Sequence, residues 1–152
     1  MKLKLVNFTP ALAVAGLYAS GDQVGAINTA TDATDWGGSC SILKCVTILD
    51  GAKQNKALDL LFFSSSPTVT SIDNGTFALL DSEMLGKCLG KISIAVTDYA
   101  DADASSLATK LDLDLILKSA PGSKNLFCIL VARDAPTYTN GDLKVLLGLE
   151  AS

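Results

Sequence analysis

The residues that could do chemistry in this chain are carboxylates, thiols and hydroxyls, because its 152 residues include no histidine. That removes the commonest general base and the relay of a nucleophilic triad. A Ser–Lys or carboxylate mechanism is what remains. Asp112 and Asp114 are the best-spaced pair. At i and i+2 of a strand they share a face about 7 Å apart, where paired carboxylates hold Ca²⁺ or act as acid and base. Leu111, Leu113, Leu115 and Leu117 alternate with them. A solvated outer face opposite four leucines therefore explains both aspartates without a site, and that is the expectation here. Asp98, Asp101 and Asp103 recur like a calcium loop but lack the Gly and the distant Glu of an EF-hand. Gly86-Lys-Cys-Leu-Gly90 does not match a phosphate-binding loop. No catalytic residue, cofactor or metal site is assigned.

The four cysteines are Cys40, Cys45, Cys88 and Cys128. Cys40 and Cys45 have opposite parity, so one regular strand would point them to opposite faces, and joining them needs a bulge or turn. There is no C-x-x-C pair, and an all-cysteine zinc site would need long, irregular spacing. Reduced, mostly buried thiols and folding in a cytoplasm are expected. The single tryptophan, Trp36, stands beside Gly37-Gly38 in a polar stretch from Thr29 to Ser39. Such a side chain can stack on a sugar or anchor a partner. More commonly it covers the end of its own core, and that is the expectation here. An exposed shelf of Trp36, Tyr99 and Tyr138 would instead mark a carbohydrate-binding surface.

The elements that must carry these residues are strands. The organising stretch runs from Ile42 to Phe63: two apolar, β-rich runs around a polar loop opened by Asp50-Gly51, a hairpin-like signal with a long loop. In the second run Leu58, Leu60 and Phe62 share one face, and Ala57, Asp59, Leu61 and Phe63 the other. The first run is apolar on nearly both faces, so both belong in the middle of a sandwich. Gln23 to Asn28 reads as a short strand. Lys91 to Thr97 alternates, with Ile92, Ile94 and Val96 inward. Leu126 to Val131 is apolar on both faces, hence central, and Leu143, Val145, Leu147 and Leu149 form a last inward face. Asp81-Ser-Glu83 reads as a helix start with Asp81 as N-cap, and Gly90 lies beyond its end. The fold expected is all-β: an antiparallel β-sandwich, jelly-roll-like, with one short helix. Residues 20–152 make a single sandwich domain, and residues 1–19 an N-terminal arm or first strand. Lys2, Lys4 and the apolar Ala11–Ala19 piece imitate a secretion signal, but Asn7, Thr9 and Pro10 interrupt it. The segment reads instead as an extended arm packed on the domain or a neighbour.

Composition bounds the partners. Hydrophobic residues are 49% and charged residues 18% of the chain, greasier and less charged than an ordinary soluble domain. No apolar run reaches the roughly 18 residues of a spanning helix, so the surplus goes into the core or into subunit contacts. A net charge of -4 with scattered basic residues argues against a nucleic-acid surface.

Several stretches together carry a family likeness. They are Tyr18-Ala-Ser-Gly-Asp-Gln-Val-Gly25, Asp50 to Phe63, Asp73-Asn-Gly-Thr-Phe-Ala-Leu-Leu-Asp-Ser-Glu-Met-Leu85, Asn125 to Arg133 with Pro136-Thr-Tyr138, and Asp142-Leu-Lys-Val-Leu-Leu-Gly148. In this order, across residues 16–149, the chain resembles small virion proteins of tailed bacteriophages: capsid decoration (cement) or other accessory head proteins. The resemblance implies a structural protein, not an enzyme. It would bind the major capsid protein as a homo-oligomer, a trimer by expectation, on the capsid surface of the virion, with neither nucleic acid nor membrane as partner. A tail or fibre component, or a carbohydrate-binding jelly roll, is the alternative. The resemblance carries no catalytic motif, and the cysteines and Lys87-Cys88 lie outside its pattern.

Overall fold

A computed structural model describes residues 2–151. The strands are β1 (Lys2–Phe8), β2 (Gly16–Leu17), β3 (Gln23–Ala30), β4 (Cys40–Asp50), β5 (Leu58–Phe63), β6 (Cys88–Ile94), β7 (Tyr99–Asp101), β8 (Ser106–Lys110), β9 (Leu115–Lys118), β10 (Leu126–Ala132), β11 (Thr137–Tyr138) and β12 (Leu143–Ala151). One helix, α1 (Asp81–Lys87), precedes β6. A six-stranded sheet runs β1-β12-β4-β8-β7, with β9 also paired to β4; a four-stranded sheet runs β3-β10-β5-β6. Every pairing is antiparallel.

The long strands are nested. Counting β8 and β9 as one interrupted strand, the first pairs with the last (β1 with β12) and the second with the next to last (β3 with β10). The third then pairs with β8 and β9, and the fourth with the fifth (β5 with β6). A long hairpin rolled so that its rungs alternate between two sheets gives this order, and it is the jelly roll. The inner faces meet in one core. Leu43, Ile48, Val145 and Leu147 of the larger sheet face Leu58, Leu60, Phe62 and Leu130 of the smaller.

The Ile42–Phe63 stretch corrects the hairpin expectation. Both runs are central strands, but they lie in different sheets. The reason is the loop. The Asp50 carboxylate accepts the N–H groups of Ala52 (3.0 Å), Gln54 (2.8 Å) and Asn55 (3.1 Å). Gly51 N–H donates to the Asp142 carbonyl at 2.7 Å. The chain is thereby pinned beside the start of β12 and sent across the sandwich. The two faces of β5 fall as the alternation requires: Leu58, Leu60 and Phe62 enter the main core, Leu61 and Phe63 a second cluster.

That second cluster lies on the outer face of the four-stranded sheet. Leu61, Phe63, Ile129 and Val131 are covered there by Val69, Phe77, Leu79 and Met84, all from residues 64–88 of the same chain. The helix within that segment starts one residue earlier than expected: Leu80 is the N-cap and Asp81 is already helical. Glu83 accepts the Thr68 N–H (2.8 Å) and pairs with Lys87 (2.7 Å), which ties the helix to its own cover. The chain then passes directly into β6 at Cys88, so Gly90 is a strand residue. A Cβ there would stand 3.0 Å from Leu115 Cδ1, and glycine lets the two sheets approach. Ile94 is buried, but β6 ends there and Val96 turns outward in a 3₁₀ turn.

Candidate interaction surface

The polar candidates are separated by the fold. Residues 111–114 are not a strand: Asp112 and Asp114 have φ of 54° and 49°, left-handed values that take them out of the i, i+2 arrangement. They form a bulge between β8 and β9, opposite Lys44, whose carbonyl accepts the Leu113 N–H at 3.2 Å and whose ammonium pairs with Asp114. Aspartate tolerates that backbone region better than most residues, and the strict leucine alternation hid the break. Leu111 is exposed instead of facing inward. The Asp98, Asp101 and Asp103 loop is also divided. Asp98 accepts the Ala95 N–H (2.7 Å) and pairs with Lys110 (3.0 Å); Asp101 accepts from Asn55 (2.7 Å). Among the described residues no group of three or more acidic, thiol or imidazole side chains could hold a metal.

The buried carboxylates organise loops. Asp73 accepts the Tyr18 hydroxyl (2.8 Å) and the N–H groups of Gly25 (2.7 Å) and Val14 (2.7 Å), binding the 10–25 crossing to the 64–80 cover. Asp59 sits on the outer face of β5 and accepts from Ser93 Oγ (2.7 Å) and Arg133 Nε (2.6 Å), with Lys91 at 3.5 Å. Burial pushes the Asp59 carboxyl up, but the Ser93 hydroxyl, Arg133 and Lys91 together hold it below its ordinary value. The groove beside it, ≈ 420 Å³, does set the Ser93 hydroxyl against the Asp59 carboxylate, but Arg133 and Lys91 hold that carboxylate as well, and a carboxyl kept below its ordinary value is a weak base.

The thiols and aromatics are dispersed. Cys128 lies in the core, where burial pushes its thiol well up, so it is unreactive at neutral pH. Cys45 and Cys88 are half-buried free thiols, and Cys40 opens β4, half-buried. Tyr138 is fully buried beside Tyr18, ring centroids 6.1 Å apart, and the Tyr99 hydroxyl donates to the Lys56 carbonyl at 2.9 Å. An aromatic shelf of Trp36, Tyr99 and Tyr138 is therefore ruled out. Trp36 does not cover the core either: it is 59% exposed. Its loop is braced. Ser39 Oγ donates to the Trp36 carbonyl at 2.7 Å, and Gly38 N–H donates to Ser119 Oγ at 3.1 Å. Gly37 lies so close to Gly122 that a Cβ would stand 2.6 Å from its nitrogen. Lys4 anchors the same loop to β1 through Asp35 (2.8 Å) and the Thr34 carbonyl (2.9 Å). A groove of ≈ 450 Å³ there mixes Lys2, Lys4 and Lys124 with Asp32 and Asp35.

The surface that stands out is a sheet face. The register across the six-stranded sheet gives its outward rows. Leu3, Glu150, Ile42 and Ile116 form one row; Leu5, Gly148 and Cys45 the next; then Asn7, Leu146, Thr47 and Thr109; then Lys144, Leu49 and Leu107. Leu3 is 82%, Leu5 69% and Ile116 63% exposed, and Leu107 is exposed as well. The apolar part of the other sheet's outer face, Leu61, Phe63, Ile129 and Val131, is roofed by its own chain. This one is uncovered and broad, with apolar residues in every row and the Lys44–Asp114 ion pair standing on it at the β8–β9 bulge. Alternation within each strand signalled the inward positions. It could not signal that the outward rows of neighbouring strands would also align their apolar residues.

No family model and no curated protein matches the chain. Among solved structures it is similar to a chain of Desmodium yellow mottle tymovirus, at 12% identity over 98% of this chain and 80% of that one, with a TM-score of 0.29. It is also similar to a chain of a marine algae virus of the order Picornavirales, at 8% identity over 98% of this chain and 67% of that one, with a TM-score of 0.27. Scores this low leave the jelly-roll assignment resting on the strand order itself.

Proposed function

We propose that this chain is a structural protein of a virion that acts by protein–protein contact and catalyses no reaction. Its finer assignment is a decoration (cement) protein on the head of a tailed bacteriophage, bound to the major capsid protein. The observation that carries the reading is the uncovered, largely apolar face of the six-stranded sheet, on a molecule that roofs the apolar outer cluster of its other sheet with its own chain. Monomeric soluble proteins rarely leave so broad an apolar patch in water, and such patches mark binding surfaces. Asp50 and Asp73 are taken up by hydrogen bonds that hold loops, and Asp59 by Ser93 and Arg133, which supports a non-catalytic reading. The jelly roll serves shells, lectins and enzymes alike, so the surface decides and not the fold. The order of sequence pieces resembling phage head proteins supports the finer assignment.

The test is sedimentation of purified protein with capsid shells stripped of accessory proteins. Saturable co-sedimentation with a fixed ratio to the capsid subunit, together with a higher disruption temperature of the shell, is the expected result. A folded protein that stays in the supernatant at micromolar concentration overturns the proposal. Mass in solution reads the oligomer number against the trimer that the resemblance implies. One observation favours a second reading, a tail-fibre or carbohydrate-binding module: Trp36 is exposed on a braced loop. Glycan binding that disappears in Trp36→Ala would select it.

A further inference from the structure

We infer that the bare face of the six-stranded sheet closes on a second copy of this chain. The two copies are related by a two-fold axis lying in the plane of contact, perpendicular to β12 and over Leu147. The inference rests on the reading of that face as an interface and names its occupant.

The outward residues of β12 set the geometry. They are Lys144, Leu146, Gly148 and Glu150, a cation at one end and an anion at the other with an apolar and a small residue between. Among the described residues neither Lys144 nor Glu150 makes a salt bridge within its own chain; Glu150 acts at longer range on Lys44, itself paired with Asp114. Each stands three residues from Leu147. A two-fold axis at Leu147 therefore lays β12 antiparallel on its copy and sets Lys144 against Glu150 of the second copy, twice per pair.

The same operation matches the neighbouring strands. Ile42 lies level with Glu150, and Leu49 level with Lys144. Ile116 lies level with Ile42, and Leu107 with Leu49. The axis thus brings Ile42 over Leu49 and Ile116 over Leu107. In the end rows apolar residues meet apolar ones while the charged ends of β12 meet their opposites, and the Lys44–Asp114 pair lies within the contact at the β8–β9 bulge. The bulge at Lys44 and the break at 111–114 keep these rows level, because each adds residues to one strand without shifting the end rows. A ring of three copies would need two different patches on each chain, whereas a face that complements itself is the mark of a two-fold contact. Four strands about 4.8 Å apart and seven residues at about 3.4 Å each give roughly 500 Å² per copy, about 1,000 Å² in all. That is the lower end for a specific interface, so exchange with monomer is expected at micromolar concentration.

The experiment is sedimentation equilibrium of the whole chain and of Lys144→Glu, Glu150→Lys and Ile116→Asp, with circular dichroism to establish that each is folded. Each charge reversal alone places like charges together at two symmetry-related points and should weaken the dimer by about tenfold or more. The two reversed chains mixed one to one should associate again, as a heterodimer, to within about threefold of the unsubstituted affinity. That recovery on mixing is specific to a two-fold contact with Lys144 opposite Glu150. If Ile116→Asp abolishes association but the charge reversals and their mixture behave like the unsubstituted chain, the two-fold register is wrong and the face is still an interface. If none of the variants changes the mass, or the chain is monomeric at about 100 μM, the self-association is overturned. Shell binding then stands or falls separately by the co-sedimentation above.

Discussion

At the residue scale, the buried Asp50, Asp59 and Asp73 hold loops that have little else to hold them. Asp73 is the most exacting, because two of its three donors, the Tyr18 hydroxyl and the Gly25 N–H, are themselves buried. Asp73→Ala orphans the Gly25 N–H and leaves the Tyr18 hydroxyl only the Val14 carbonyl at 3.3 Å, and an orphaned buried group costs about 1–3 kcal/mol. A loss of roughly 2 kcal/mol in urea unfolding is expected, against about 1 kcal/mol for Tyr18→Phe, which removes one donor and strands none. Asp59 gives a pH signature. Burial opposes its charge, but Ser93, Arg133 and Lys91 outweigh burial and hold its carboxyl below the ordinary 3.8. The unfolded chain therefore takes up the proton first as pH falls. The contribution is complete above the ordinary value and is lost as pH drops through the lower, folded one. Thermal melts of the native chain and Asp59→Asn should differ most near neutrality and converge in acid below that value. A constant difference across the range would contradict this.

At the element scale, pairing is decided by loops. Residues 51–57, after β4, are bound so tightly by Asp50 that the next strand starts in the other sheet. The 31–39 loop is fixed by its closeness to the Pro121–Gly122 turn. Gly37→Ala would drive a methyl group to 2.6–2.8 Å from three backbone atoms of Gly122, none of which can swing away. Overpacking of that kind costs typically about 1–3 kcal/mol. Here it should also release Trp36, seen as a shift in tryptophan fluorescence and faster quenching by acrylamide. The bulge between β8 and β9 is a further device of this kind: two left-handed aspartates let one interrupted strand pair with β4 on both sides of Lys44.

At the scale of the whole molecule, the two sheets have unequal outer faces, and the inequality predicts how stability responds to concentration. A partner that binds only the folded state raises the apparent stability by mass action. The melting temperature should therefore rise by a few degrees between about 1 and 100 μM protein. Ile116→Asp should flatten that dependence while leaving the dilute melting temperature nearly unchanged, since its side chain is already mostly in water. Calorimetry and circular dichroism across the concentration range check it. A melting temperature independent of concentration would count against any self-association through this face.

The alternation of side chains settled much by itself. The pleat of a strand alone gave Leu143–Leu149 its inward face, split Leu58–Phe63 into its two faces, and made Leu126–Val131, apolar on both, a central strand, so these were readable from the chain alone. The absence of histidine likewise bounded the chemistry by composition. Only the tertiary structure decided that β4 and β5 part company, because the Asp50 loop is anchored through Gly51 to Asp142, a residue distant in sequence. It also decided that Asp112 and Asp114 leave the strand, since left-handed backbone is invisible to a hydrophobic pattern, and that Trp36 faces water. The alignment of Ile42, Ile116, Leu49 and Leu107 into level rows depends on register between strands far apart in the chain. No single strand contains that information, and the packing of all of them creates it.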